Sequence, residues 1–195
     1  MAPRLIRTTM EELFPMTGRS KGMHVSTAIH AVMAELYPDR FDGSPIDIAR
    51  ANLGNAMERV IIQGLSAAHP ERYAQPGELE LDNIYGTPDL WDITDWATIE
   101  IKLTWASSSR AEDIEDIWFW RYWTQLKSYA HMAGTTKGRL IIVFINGNYR
   151  RNDPDGSKPT FMMWEDEWTE EELLENWQMI KSRAKQAHRK HGKKK

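Results

Sequence analysis

No cysteine occurs anywhere in the 195 residues. Disulfides, thiolate metal sites, iron–sulfur clusters and cysteine nucleophiles are thereby excluded. Long apolar runs are missing too: none approaches the ~20 residues that a membrane helix needs. The opening MAPRLIRTTMEELF has neither the apolar stretch nor the small-residue cleavage site of a signal peptide. No membrane association is expected, and the cytoplasm is the expected location. There is no Walker glycine loop and no G-x-S-x-G elbow, so P-loop NTPase and serine hydrolase chemistry fall away. His24, His30, His69, His131, His188 and His191 follow no zinc spacing and are read as structural, with His24 the least settled.

Aromatics, by contrast, are plentiful. Nine tryptophans and 41% hydrophobic residues imply a sizeable core, and the length suits one domain spanning residues 1–195. Charge is unevenly placed. The last fifteen residues, Lys181 to Lys195, hold eight Lys/Arg and no acid, so with a net charge of −3 the first 180 residues carry −11. So acidic a body is not a passive nucleic-acid coat. The basic tail, 181–195, suits tracking phosphates, or equally a solvated terminus.

HVSTAIHAVMAELYP reads as a helix with Ser26 or Thr27 as N-cap and Pro38 past its end. A second helix runs from about Ile46 to Ala68, with Ile46, Ala49, Leu53, Met57, Val60, Ile61 and Leu65 at helical spacing. The period then changes to two. ELELDNIYGTPDLWDI supplies one or two strands and WATIEIKLTW another. A helix from about Ala111 to Ala133 follows, then the strand RLIIVFI (139–145), whose unbroken apolar run suits burial on both faces. A polar loop, NGNYRRNDPDGSKP, leads to a short strand TFMMW and a last helix capped by Thr169. No internal repeat is present. The order predicts an α/β fold, a central mixed sheet flanked by helices.

TIEIKL puts Thr98, Glu100 and Lys102 on one strand face and Ile99, Ile101 and Leu103 on the other. The apolar set can bury against helices; the polar set is expected to face a cleft. If a two-residue turn at Thr94–Asp95 joins this strand to the preceding one, Asp89 lies directly opposite Glu100. A longer turn would shift that register. Like charges directly opposite are destabilising, and a divalent cation with hard oxygen ligands, Mg²⁺ or Mn²⁺, would relieve them. Lys102 lies beside the same spot and could hold a water or stabilise charge building on a phosphate. For a bare E-x-K, an exposed hairpin with a cross-strand ion pair is the plainer reading.

Pro88-Asp89, ten residues, then Glu100-Ile101-Lys102 resembles the signature of the PD-(D/E)XK nuclease superfamily. Upstream, Gly54-Asn55-Ala56-Met57-Glu58 resembles the G-x-x-x-E helix of its RecB-like and lambda-exonuclease-like branch. Downstream, Gln125-Leu126-Lys127-Ser128-Tyr129 resembles the Q-x-x-x-Y helix of that branch. The three motifs occur in the expected order across a core of about residues 46–145. The compact length and GELELDNIYGTPD are also similar to small bacteriophage members. The resemblance implies a restriction-endonuclease-like core (αβββαβ) and a metal-dependent deoxyribonuclease. Asp89 and Glu100 would bind one or two metal ions, with the Ile101 carbonyl helping and Glu58 completing the shell. Lys102 would orient the attacking water, and Gln125 and Tyr129, at i and i+4, would position Lys102 or a DNA phosphate. The lack of cysteine sets the chain apart from branch members with an iron–sulfur cluster.

Asp92 rivals Asp89 but points to the other face. Glu80 and Asp82 suit the solvent side of their strand. DNA is the expected partner. In WASSSR, Ser107, Ser108 and Arg110 follow the catalytic strand and suit phosphate contacts; Arg121 and Lys127 are further candidates for DNA binding. In IWFWRYWTQ, Trp123 and one of Trp118 or Trp120 are expected in the core, but the rings exceed what one sheet can cover, so some are expected outside, as a base-stacking wedge or a homo-oligomer contact. The branch leans towards exonucleases acting on DNA ends in recombination, with a single-strand-annealing or other recombination protein as possible partner. A nicking or structure-specific endonuclease, and a non-catalytic DNA-binding protein of the same fold, are the rivals.

Overall fold

The period-two segments build two sheets. The computed structural model describes residues 20–37, 45–113, 117–149 and 158–192. Among them β1 (Met23–His24) leads into α1 (Val25–Leu36), followed by α2 (Pro45–Ala68). Strands β2 (Tyr73–Ala74), β3 (Leu79–Leu81), β4 (Ile84–Gly86), β5 (Leu90–Asp92) and β6 (Ala97–Thr104) come next. A 3₁₀ turn at Ser108–Asp113 precedes α3 (Ile117–Ala133); β7 (Lys137–Phe144), β8 (Thr160–Glu167) and α4 (Glu170–Gly192) complete the order. The main sheet has the strand order β2-β5-β6-β7-β8, and the small one β1-β4-β3.

β6 and β7 are parallel, from Ala97 beside Lys137 to Thr104 beside Phe144. A parallel pair needs a crossover, and α3 is that crossover. On one face of the sheet, Leu90, Ile99 and Ile101 pack with Ile61, Ile62 and Leu65 of α2. On the other, Leu140, Ile142 and Phe144 pack with Phe119, Tyr122, Leu126 and Ala130 of α3 and with Trp168 and Leu173. A third cluster joins Met23, Val25, Ile29, Ile84, Tyr129, Trp177 and Ile180, tying α1, α3, α4 and the small sheet together. The mixed sheet flanked by helices is as the sequence predicts.

Four local expectations change. α1 starts earlier, with extended His24 at its N-cap and no side-chain cap, because Met23 and His24 pair with Ile84 and Tyr85. On α2 the expected stripe is split: Leu53, Met57 and Val60 are exposed, since among its described apolar side chains Ile61, Ile62 and Leu65 are the ones that pack on the sheet. The described rings of this stretch, Phe119, Trp120, Tyr122 and Trp123, are not outside. Phe119 and Tyr122 are buried, Trp120 packs on the third cluster, and Trp123 meets Trp168 edge-on at 6.3 Å. The sheet, α1 and α4 all pack on α3, so it has more than one face to bury. Asp82 is no idle solvent carboxylate either: with Asn83 it forms the positive-φ β3–β4 turn and takes Trp177 Nε1 at 2.9 Å and Lys181 Nζ at 2.8 Å.

The last helix begins as expected. Thr169 Oγ1 accepts from the Glu172 N–H while Glu172 accepts from the Thr169 N–H, a reciprocal capping box. Pro38, loop residues 150–157 and 193–195, and the side chains of Ile46, Ala49, Trp118 and the basic tail from residue 186, lie outside what the structure describes.

Candidate active site

β5 and β6 pair as Leu90–Ile99, Trp91–Thr98 and Asp92–Ala97. Extending that register sets Asp89 opposite Glu100, as the tight-turn expectation had it, although the loop is four residues, Ile93 to Trp96. One ladder pair simply opens to make it. Asp92 builds the loop: its Oδ1 accepts the N–H groups of Thr94 and Asp95 at 3.0 and 3.1 Å. Its other oxygen meets Arg72 and Arg139. Burial alone would raise the Asp92 pKa, but the Asp95 amide, Arg72 and the Thr94 amide outweigh it and hold the carboxyl below its usual value. Asp92 is thus committed to structure, which removes it as a rival to Asp89.

The ladder stops at Leu90–Ile99, and β6 continues without β5 beside it. Alternate residues of a strand point their N–H groups to the same edge, so the amides of Ile101 and Leu103 would go unpaired there. Carboxylates take both. Ile101 N–H donates to Asp89 Oδ2 at 2.7 Å, and Leu103 N–H to Glu58 Oε1 at 3.4 Å. The open edge of β6 therefore sets the spacing of two acids, one just before β5 and one from α2.

Lys102 stands among these groups. Its Nζ lies 2.5 Å from Glu100 Oε1, 3.8 Å from Glu58 Oε2 and 3.9 Å from Asp89 Oδ2, and donates to the Ile101 carbonyl at 3.0 Å. The Asp89, Lys102 and Glu58 side chains are 19%, 17% and 15% exposed, so the site opens on their side, whereas Glu100 is 1% exposed. The expected open cleft for Glu100 is instead a buried wall beneath α3. Glu100 Oε1 is paired with the Lys102 ammonium, while its buried Oε2 has no hydrogen-bond partner.

Three carboxylates around one ammonium leave a surplus of negative charge, and the titration follows. Burial, then the Asp89 charge, pushes Glu100 well above its ordinary value. Burial raises Asp89 and Glu58 as well. Burial opposes the Lys102 charge, but the surrounding carboxylates, Glu100 foremost, hold it well above its usual range. Gln125 Nε2 donates to the Tyr129 hydroxyl at 2.8 Å. Burial raises the Tyr129 pKa, and the next cause is the negative charge of Glu100, which places the hydroxyl within the field of the carboxylates. Gly86 makes room for that ring: a β-carbon there would lie 2.7 Å from Tyr129 Cε1.

The other candidates stand apart from this cluster. Ser107 is fully buried and donates to Asn148 Oδ1 at 2.9 Å, while the Ser108 N–H donates to the Gly147 carbonyl. These contacts tie the loop after β6 to the loop after β7. Arg110 is exposed beside them. Lys127 Nζ lies 5.7 Å over the Trp168 ring. Arg121 stacks on Tyr122 and donates to its hydroxyl at 2.6 Å. It also lines a cavity of about 160 Å³ with Ser26, Ile29, His30, Met33, Tyr122 and Gln125. Ser26 and His30 were missed as site neighbours; their i, i+4 spacing on α1 was the only signal.

Among the described residues, no three acidic or histidine side chains form a ready metal cage; they surround Lys102 instead. The donor set nonetheless fits a hard divalent cation: three carboxylates and a backbone carbonyl, with the buried Glu100 Oε2 short of a partner.

No family model matches the sequence, and no curated protein matches it. Solved structures do. An alkaline exonuclease (LHK-Exo) from Laribacter hongkongensis is 17% identical, aligned over 88% of this chain and 94% of that one, with a TM-score of 0.51. This chain shares its fold with that protein. The same enzyme in complex with dAMP gives 18% identity, 88% and 94% coverage and a TM-score of 0.48. A phage-related exonuclease from Haemophilus somnus 129PT gives 14%, 82% and 78%, and 0.47. No helix among the described residues is long and apolar enough to cross a membrane.

Proposed function

We propose that this protein is a metal-dependent deoxyribonuclease of the PD-(D/E)XK type, hydrolysing phosphodiesters at DNA ends. The observation that carries it is the gathering of Glu58, Asp89, Glu100 and Lys102 at the open edge of β6, three carboxylates within 3.9 Å of one ammonium. Glu58, Asp89, Glu100 and the Ile101 carbonyl would hold Mg²⁺ or Mn²⁺, as one ion or two. Bound there, the metal would supply the positive charge that polarises the phosphodiester and offsets the charge it gathers on attack. It would also reconcile the acidic body with a polyanionic substrate, because the local field is then set by the ion.

This chain's own groups do the rest. The Ile101 and Leu103 amides fix the orientation of Asp89 and Glu58, so the acids need little rearrangement on binding. Lys102 orients the attacking water and meets developing negative charge. Gln125 holds the Tyr129 hydroxyl, and the pair braces the buried side of the site. The cavity beside Gln125, with Arg121, His30 and Ser26 in its walls, would receive a strand end. The ordered motifs, whose branch leans towards exonucleases, favour exonuclease over endonuclease action.

We further read the chain as a phage-encoded member of the RecB-like, lambda-exonuclease-like branch. It would act in recombination beside a single-strand-annealing protein, in the cytoplasm of a bacterial host. Supporting this are the ordered Glu58, Asp89–Lys102 and Gln125–Tyr129 motifs and the compact length. Incubating the protein and Mg²⁺ with linear duplex beside covalently closed plasmid separates the alternatives. Loss of the linear DNA alone is expected; cutting of closed circles would make the protein an endonuclease.

A further inference from the structure

The position of Lys102 carries a consequence for how the site charges itself. Its Nζ touches or faces all four groups assigned to the cation: Glu100 Oε1 at 2.5 Å, the Ile101 carbonyl at 3.0 Å, Glu58 Oε2 at 3.8 Å and Asp89 Oδ2 at 3.9 Å. An ammonium and a divalent cation are both hard cations that seek oxygen, and they cannot share one centre among the same four donors.

We propose that Lys102 is a built-in competitor for the metal site: its ammonium holds the cation's place among Glu58, Asp89, Glu100 and the Ile101 carbonyl, and moves out to the exposed side when a divalent cation binds. The inference rests on the metal reading of the site and concerns what this lysine does towards the ion.

Geometry allows the movement. Lys102 carries its charge on a flexible four-carbon stem, and the site opens on the side of Asp89, Lys102 and Glu58. Glu100, at the buried wall, cannot follow. Charge favours it as well. Three carboxylates and one ammonium sum to −2; a divalent ion takes over the balancing, and the lysine is released with its charge free to face a phosphate. Metal binding and presentation of the catalytic lysine thus become one event. A lysine in the donor set also raises the cation concentration needed for loading, since the ion must displace an ammonium already paired.

Two measurements on the full chain test this with Ca²⁺ as the probe. Titration calorimetry compares wild type with Lys102→Ala. Tighter binding by the variant, on the order of ten-fold or more, is expected from removing a unit charge a few ångströms away. Reductive dimethylation of wild type, read by mass spectrometry at each lysine, is then run with and without saturating Ca²⁺. Labelling at Lys102 should rise several-fold with Ca²⁺ while other lysines stay constant. This second arm needs no variant, so a misfolded Lys102→Ala would not blunt it. Calcium binding with unchanged Lys102 labelling overturns the inference and leaves the metal site standing. Equal or weaker binding by a folded Lys102→Ala also overturns it. No binding to either protein overturns the metal reading itself.

Discussion

Asp89 and Ile101 are joined by a 2.7 Å hydrogen bond, the backbone N–H of Ile101 donating to the Asp89 carboxylate just past the last β5–β6 ladder pair. A carboxylate here does the work of a missing strand. Replacing Asp89 should therefore have two separable effects. Asp89→Ala should abolish cleavage, by at least about 100-fold, and also cost about 1 kcal/mol for the amide left without its acceptor. Asp89→Asn keeps an acceptor, so it should recover the stability and none of the activity. Melting curves alongside cleavage of end-labelled DNA check both. Wild-type cleavage by either variant would unseat Asp89 from the site.

Glu100 should trade stability for function. Its raised pKa, from burial and the Asp89 charge, means that the fold disfavours its ionised form. A folded-state value above the unfolded one contributes stability that is fully present below the unfolded pKa, near 4.5, and lost as pH rises through the folded value. Glu58 and Asp89, also raised, add in the same sense. Glu100→Gln should thus melt higher than wild type at pH 8, by roughly 2–4 °C per kcal/mol relieved. It should show a shallower decline from pH 5 to pH 8 and cut no DNA. A lower melting temperature at pH 8 would contradict this.

Gly86 should resist any side chain. A β-carbon would sit 2.7 Å from the ring of Tyr129 and 3.0 Å from Met132 Sδ. Gly86→Ala is expected to cost about 1–3 kcal/mol from overpacking and to reduce cleavage by displacing the Tyr129 hydroxyl from Gln125. A variant that melts and cuts like wild type would remove Tyr129 from the site's support.

Ser107 and Arg121 both stand as DNA-contact candidates from sequence, and their surroundings separate them. Ser107 is buried and bonded to Asn148, so Ser107→Ala should cost about 1 kcal/mol of stability and leave DNA affinity unchanged. Arg121 lines the cavity beside Gln125, so Arg121→Ala should weaken binding to open-ended duplex more than to duplex capped by hairpins at both ends. Fluorescence anisotropy on the two substrates reads the difference. Equal loss on both would deny the cavity a role in holding ends.

How much of this was legible in the sequence follows from which signals are local. Face parity alone separated Glu100 and Lys102 from Ile99 and Ile101, and Thr169 was legible as the cap of the last helix. The facing of Asp89 and Glu100 was legible only conditionally, and held because the longer loop opened one ladder pair without slipping register. The hydrogen bonds from Ile101 and Leu103 to the acids were not legible. They depend on where β5 ends relative to β6 and on α2 crossing that edge, both tertiary facts. Core packing of Trp123 and Trp120 was legible, but the cover over the other described α3 rings was not, because α1 and α4 approach from distant sequence. Asp92 could not be dismissed until Arg72 and Arg139 were seen to hold it.

The most direct measurement is cleavage of end-labelled linear duplex across a titration of Mg²⁺ and Mn²⁺, run beside Lys102→Ala and a chelator control. Wild type should release nucleotides from the ends only when the divalent ion is present, the chelator should stop it, and Lys102→Ala should stay inactive at every concentration. Cleavage that persists in chelator, or wild-type rates from Lys102→Ala, would contradict a metal-dependent nuclease centred on Glu58, Asp89, Glu100 and Lys102.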